Sequence, residues 1–165
     1  MTYFSKFPQH LITTTEGTQV VMVDLFRRVR VGKTFGDVAV GLVPYTVLDG
    51  ETPEMVSNKF YGTPFNHWII LMINNIVNVL TEWPLKMSAL NNKILAEYEF
   101  PYGVHHYYNN VYGYIVDRDD NNPDIVGVTN FEHEVAVNDA KRQIRFLDPD
   151  YIKNFTKNFN TLIGV

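Results

Sequence analysis

Cysteine is absent from the chain, which excludes disulfides, thiolate metal sites and thiol nucleophiles, and fits a reducing compartment. Long apolar runs are missing too. The longest, WIILMI at residues 68–73, falls far short of the roughly 20 residues that cross a bilayer, so no membrane partner is expected. The N-terminal MTYFSKFPQHLITTTEG has no basic stretch followed by an apolar core, so no secretory signal is expected. Positive charge is not in excess. With a net charge of −4 the protein has no global basic field to attract nucleic acid.

Complete chemical motifs are equally scarce. VGKTF at 31–35 has the tail of a phosphate-binding loop, but Arg27 stands where the first glycine should be. DRDDNNPD places Asp117, Asp119 and Asn121 like the start of a calcium loop, yet Asn122 replaces the obligatory glycine and Val128 the closing glutamate. His133 precedes Glu134 without a second histidine at zinc-helix spacing. His105 and His106 are adjacent, and in a regular strand they would point to opposite faces, so no metal site is expected. Acidic residues fall mostly in loops and turn tips, and no nucleophile–base pattern stands out. Neither an enzyme nor a bound cofactor is expected.

What the chain does have is apolar and aromatic mass. Its 165 residues are 45% hydrophobic, enough for a core, and ten Tyr with eleven Phe suit broad interfaces as well. Residues 1–43 read as an N-terminal arm. TYFSKF could form a strand, LITTTEGTQ reads as a polar loop, and Asp24 could cap a short helical piece carrying Leu25 and Phe26.

Residues 44–80 are the most ordered-looking segment. Tyr45 and Val47 alternate with Thr46 and Leu48 as a brief strand, and Asp49, Gly50, Glu51 and Thr52 make a turn. Thr52 with Pro53 signals a helix start, Val56 and Phe60 share a face, and Gly62 fits a left-handed stop. Thr63–Pro64 repeats the start signal for a second helix whose core side carries Trp68, Leu71 and Met72.

Residues 81–165 predict a helix with Leu90, Ile94 and Leu95 in periodic positions, then a β-hairpin over VHHYYNNVYGYIVDRDDNNPDIVGV with its tip at DRDDNNPD. A loop with a short helix follows over TNFEHEVAVNDAKRQ, then a strand at IRFL. A last helix is capped by Asp148 and carries Tyr151, Ile152, Phe155, Phe159, Leu162 and Ile163 on one apolar face. The fold class expected is α+β, a small strand–helix–helix core between an arm and a helix/hairpin/helix region.

YTVLDGETPEMVSNKFYG resembles a LysM module, with its strand, its Gly-acid-Thr turn and its helix closed by an aromatic and Gly. FYGTPFNHWIILMINNI is similar to the LysM variant of phage tail proteins. With VDLFRR before it and NDAKRQIRFLDPDYI near the end, the chain resembles the LysM-like baseplate wedge protein of contractile-tailed, T-even-type phages, the gene product fifty-three family. An ordinary LysM module has a second strand directly after its second helix; here IVNVLTEWPL follows, and Trp83–Pro84 breaks any clean strand.

The resemblance implies a structural virion protein of the tail baseplate, assembled in the host cytoplasm. It would bind other wedge proteins in a large six-fold assembly and help join wedges around the hub. Leu25, Phe26, Arg27, Arg28 and Arg30 in the arm, with Arg142, Arg145 and Tyr151 near the end, are the candidate partner-binding residues. Val47, Val56, Phe60, Gly62, Trp68, Leu71 and Met72 would form the module's framework. Two alternatives remain open: a peptidoglycan- or chitin-like glycan-binding module using the turn at 49–52, and a tail-hub adaptor.

Overall fold

The structure is a computed structural model that describes residues 7–25, 41–119 and 121–163. It is α+β, with helices and small antiparallel sheets. The chain divides into two compact units, one drawn from residues 1–46, 51–82 and 144–165, the other from 47–50 and 83–143.

In the first unit, β1 (Gln9–Thr13) and β2 (Gln19–Val23) pair antiparallel, with Leu11 opposite Val21 and Ile12 opposite Val20. The segment expected as a polar loop is therefore the end of a hairpin. Its polar residues form the tip, where Gly17 takes φ 79 and Thr18 N–H donates to the Thr14 side-chain hydroxyl, Oγ1. The branched residues on either side supply the strands. The expected strand at 2–7 lies almost wholly outside the described residues; so do Phe26, Arg27, Arg28, Arg30 and the 31–35 loop.

β3 (Leu42–Thr46) leads to α1 (Pro53–Tyr61). The strand begins and ends a few residues earlier than its alternation suggests, leaving Val47 beyond its end but buried. Thr52 Oγ1 accepts the Met55 N–H at 3.3 Å, and Pro53 occupies the first turn, where a missing donor costs nothing. Gly62 ends the helix at φ 66, ψ 10, and its N–H reaches the Asn58 carbonyl.

Thr63 then caps a single 3-10 turn (Pro64–Asn66), after which α2 (His67–Ile73) begins. Trp68, Ile69, Ile70 and Ile73 are buried, while Leu71 and Met72 are half-buried. WIILMI is apolar all round, so its periodicity could not select the inner face.

α3 (Val79–Glu82) follows, and no strand comes directly after α2. β3 finds its partner some 100 residues on, in β7 (Gln143–Leu147). The Val47 N–H donates to the Arg142 carbonyl and the Asp148 N–H to the Gly41 carbonyl, which fixes the pair as antiparallel. α6 (Ile152–Ile163), entered through a 3-10 turn (Pro149–Tyr151) capped by Asp148, closes this unit.

The core of the first unit gathers Phe7, Trp68, Ile69, Ile73, Leu147, Phe159 and Ile163. Removing Ile69 or Ile163 from water contributes about 1.5–3 kcal/mol each. The apolar stripe of α6 is narrower than expected. Ile152, Phe155, Phe159 and Ile163 face the core, but Tyr151 and Leu162 are exposed, Leu162 because it falls off the i, i+4 row.

The second unit contains α4 (Met87–Glu97), a three-stranded sheet and α5 (Asn130–Lys141). Leu90 and Ile94 are buried four residues apart, whereas Leu95 is exposed on the next row. The expected single hairpin is a sheet of order β5-β4-β6, from β4 (Val104–Asn109), β5 (Tyr114–Val116) and β6 (Ile125–Thr129). Its tight turn falls at NNVYG instead of DRDDNNPD. Asn109 Oδ1 accepts the N–H groups of Val111 and Tyr112, and Gly113 takes φ 75. The polar stretch is the longer connection from β5 to β6. There Asp119 Oδ1 accepts the Asn121 N–H and Asn122 Oδ1 the Asp124 N–H.

α5 is longer than the short helix expected. Thr129 Oγ1 accepts the Glu132 N–H while the Glu132 carboxylate reaches back to the Thr129 N–H, a reciprocal cap. Asn138, buried near its end, pairs with both polar groups of the Leu85 backbone, at 2.7 and 3.0 Å.

Candidate interaction surface

The turn at 49–52 is held by internal contacts. Asp49 Oδ1 accepts the Met87 N–H at 2.9 Å and an Arg142 guanidinium N–H at 3.1 Å. The Met87 amide, and after it Arg142, hold this carboxyl below the usual aspartate range. Glu51 accepts the Tyr45 hydroxyl at 2.6 Å and Lys59 Nζ at 3.2 Å, while Lys59 also donates to the Tyr45 oxygen. Burial, followed by the Glu51 hydrogen bond, raises the Tyr45 phenol.

Beside this triangle Phe60 stacks on Phe146 at 4.0 Å, with Tyr45 edge-on to Phe60 at 4.9 Å. Trp68 is 5% exposed, with its ring against Phe159 at 4.8 Å. None of these groups is arranged as an open stacking platform.

Arg142 is an internal brace. Besides Asp49 it donates to Asp139 at 2.9 Å and to the Val47 carbonyl at 3.2 Å. Arg145, in contrast, is exposed, and its backbone N–H and carbonyl both pair with the Asn74 side-chain amide. Tyr151 is exposed with one face of its ring against Gly41. Leu25 is 62% exposed immediately after the hairpin.

An exposed apolar ribbon was hidden from sequence reasoning. On β1 and β2, Leu11 and Val21 are exposed on one face, and Ile12, Val20 and Met22 on the other. Among the described residues the core holds the hairpin at its root, through Phe7 in the core and Val23 packed against it. The run VVMV would have pointed here, had the preceding LIT been paired with it across the TTEG turn.

A second cluster contradicts the expected geometry of the histidines. β4 carries a bulge: Val104 pairs with Thr129 and His106 with Val128, so His105 is the extra residue. The alternation that would have separated His105 and His106 is broken, and their Nδ1 atoms lie 2.8 Å apart. His133, on the first turn of α5, stacks on His105 with ring centres 3.9 Å apart. Burial, then the neighbouring His105 and His133, hold the His106 imidazole below its ordinary pKa. Next along α5, the buried Glu134 pairs with Lys93 at 2.7 Å and with the Tyr98 hydroxyl at 3.1 Å.

A family model described as base plate wedge protein 53 matches residues 2–125. The chain belongs to that family. No curated protein matches it. Membership makes it a structural protein of the phage tail baseplate, a component of the virion and of tail assembly. Within this wedge-family chain the match takes in both strands of the exposed hairpin and Leu25 to Arg30; Arg142, Arg145 and Tyr151 lie beyond it. Among the described residues no helix is long and apolar enough to cross a membrane.

Proposed function

We propose that the chain is a wedge subunit that binds other wedge proteins and helps join neighbouring wedges around the tail hub, in a six-fold assembly built in the host cytoplasm. The observation that carries this reading is the β1–β2 hairpin, apolar and exposed on both faces. A lone two-stranded ribbon is at best marginally stable in water, and exposed branched residues on both faces call for cover. Another wedge protein supplies that cover in a baseplate. Leu25, Phe26, Arg27, Arg28 and Arg30 follow the hairpin directly and extend the same docking segment. Arg145 and Tyr151 form a smaller second contact; Arg142 supports the fold from within. Neither catalysis nor a cofactor enters this role.

The β3–α1–α2 segment with β7 is, on this reading, a LysM-like module whose second strand arrives after a long insertion. Protein docking is favoured over glycan binding because Asp49 and Glu51 are engaged internally and Trp68 is buried. The test is co-expression with the other wedge proteins of the same phage. Leu11→Thr together with Val21→Thr keeps β propensity but removes apolar contact. We expect the pair to abolish co-purification while leaving the circular dichroism and melting temperature of the isolated chain unchanged. Undiminished co-purification would remove the hairpin from the interface. Saturable sedimentation with purified cell walls, without wedge binding, would favour the glycan reading.

A further inference from the structure

We propose that His105, His106 and His133 form a binding site for a divalent transition-metal ion of the zinc class, with water in the fourth position. This goes beyond the structural role of the family and does not depend on the docking reading.

The three imidazoles can each offer a nitrogen within 4.8 Å of the others. Tetrahedral zinc, with bonds of about 2.0–2.1 Å, places its ligand nitrogens about 3.3 Å apart. Closing the gap therefore takes a shift of at most about 1.5 Å, within reach of small χ adjustments. Three imidazoles suit zinc and its neighbours, whereas magnesium and calcium prefer oxygen ligands. His105 is exposed, so water has access to the remaining position.

The backbone supports this arrangement at both ends. The bulge in β4 re-aims His105 to the side of His106, a use bulges often have beside functional sites. Thr129 pairs with Val104 in the sheet and also caps α5, so one residue ties together the strand and the helix that carry the three histidines. The reciprocal Thr129–Glu132 cap fixes the first turn of α5, where His133 sits. Glu134, anchored by Lys93 and Tyr98, fixes the rotation of the helix immediately beyond His133. A bound ion would cross-link β4 to α5 and stabilise the second unit, because the unfolded chain has no such preformed site.

The competing account is a surface cluster satisfied by the His105–His106 hydrogen bond and ring stacking alone. The untagged full chain, stripped with chelator, distinguishes the two. Titration with Co2+ is expected to saturate at one ion per chain, with the intense visible bands of tetrahedral coordination, and Zn2+ should displace it. Zn2+ should raise the melting temperature and shift the imidazole NMR signals of His105, His106 and His133, but not those of His10 and His67. His105→Asn, at an exposed bulge position, should keep the fold and lose binding; His10→Gln with His67→Gln should keep it. The proposal fails if Zn2+ leaves the three imidazole signals of the wild-type chain unmoved, or if His105→Asn binds as tightly as the parent.

Discussion

Replacing Gly62 with valine isolates one backbone term. Gly62 closes α1 at φ 66, ψ 10, and its N–H bonds the Asn58 carbonyl at 3.0 Å. No heavy atom lies within 4 Å of where a Cβ would sit, so a side chain meets open space and adds no clash with a neighbour. The cost is then the left-handed conformation itself, about 1–2 kcal/mol, with a β-branched residue at the upper end. For a chain of this size that corresponds to a fall in melting temperature of about 2–8 °C. Urea unfolding followed by circular dichroism should give a lower midpoint at unchanged slope.

Gly41→Ala provides the contrast. Gly41 has φ 87, and an added Cβ would lie 2.9 Å from Tyr151 Cδ2. It should cost more than Gly62→Ala, and Tyr151→Ala should remove the excess. A Gly62→Val chain that melts like the parent would refute the left-handed stop. A loss of well over about 3 kcal/mol would mean that its side chain meets something after all.

Two further predictions rest on the first unit. Phe146, 5% exposed and stacked on Phe60, should lose about 3–5 kcal/mol on truncation to alanine, read by urea unfolding; a loss below about 1 kcal/mol would show that the ring is not packed as described. Tyr61, whose hydroxyl accepts the Leu147 N–H at 3.0 Å, has its phenol pushed up to about 12, chiefly by burial, against 10.0 ordinarily. The folded state thus holds the proton that the unfolded chain releases at lower pH. This contribution is complete below pH 10 and lost as pH rises towards about 12, so Tyr61→Phe should flatten the alkaline fall in stability.

The helix pair at 53–73 was legible because its signals are local: Thr52–Pro53, Gly62 and Thr63–Pro64 act on backbone groups within a few residues. α5 was legible in principle, since Thr129 and Glu132 stand at capping-box spacing, but the surrounding polar residues masked it. The hairpin at 9–23 was hidden because its strands are short and their connection is polar. The sheet turn went to the wrong place because DRDDNNPD has the stronger turn composition, while the chain turns earlier on the Asn109 side chain.

By itself the sequence determined the lack of thiol chemistry, the helix boundaries set by caps and the α+β class, and its motifs resembled the family that the chain belongs to. Tertiary structure alone decided that β3 pairs with β7, that Asp49 binds Arg142, and that His133 meets His105 and His106. The physical reason is range. Caps and turns are satisfied by atoms a few residues away, whereas a strand, a carboxylate or an imidazole takes whichever partner the folded chain brings within hydrogen-bonding distance. Even the local rule of strand alternation failed at His105, because one bulged residue reverses the side to which every following side chain points.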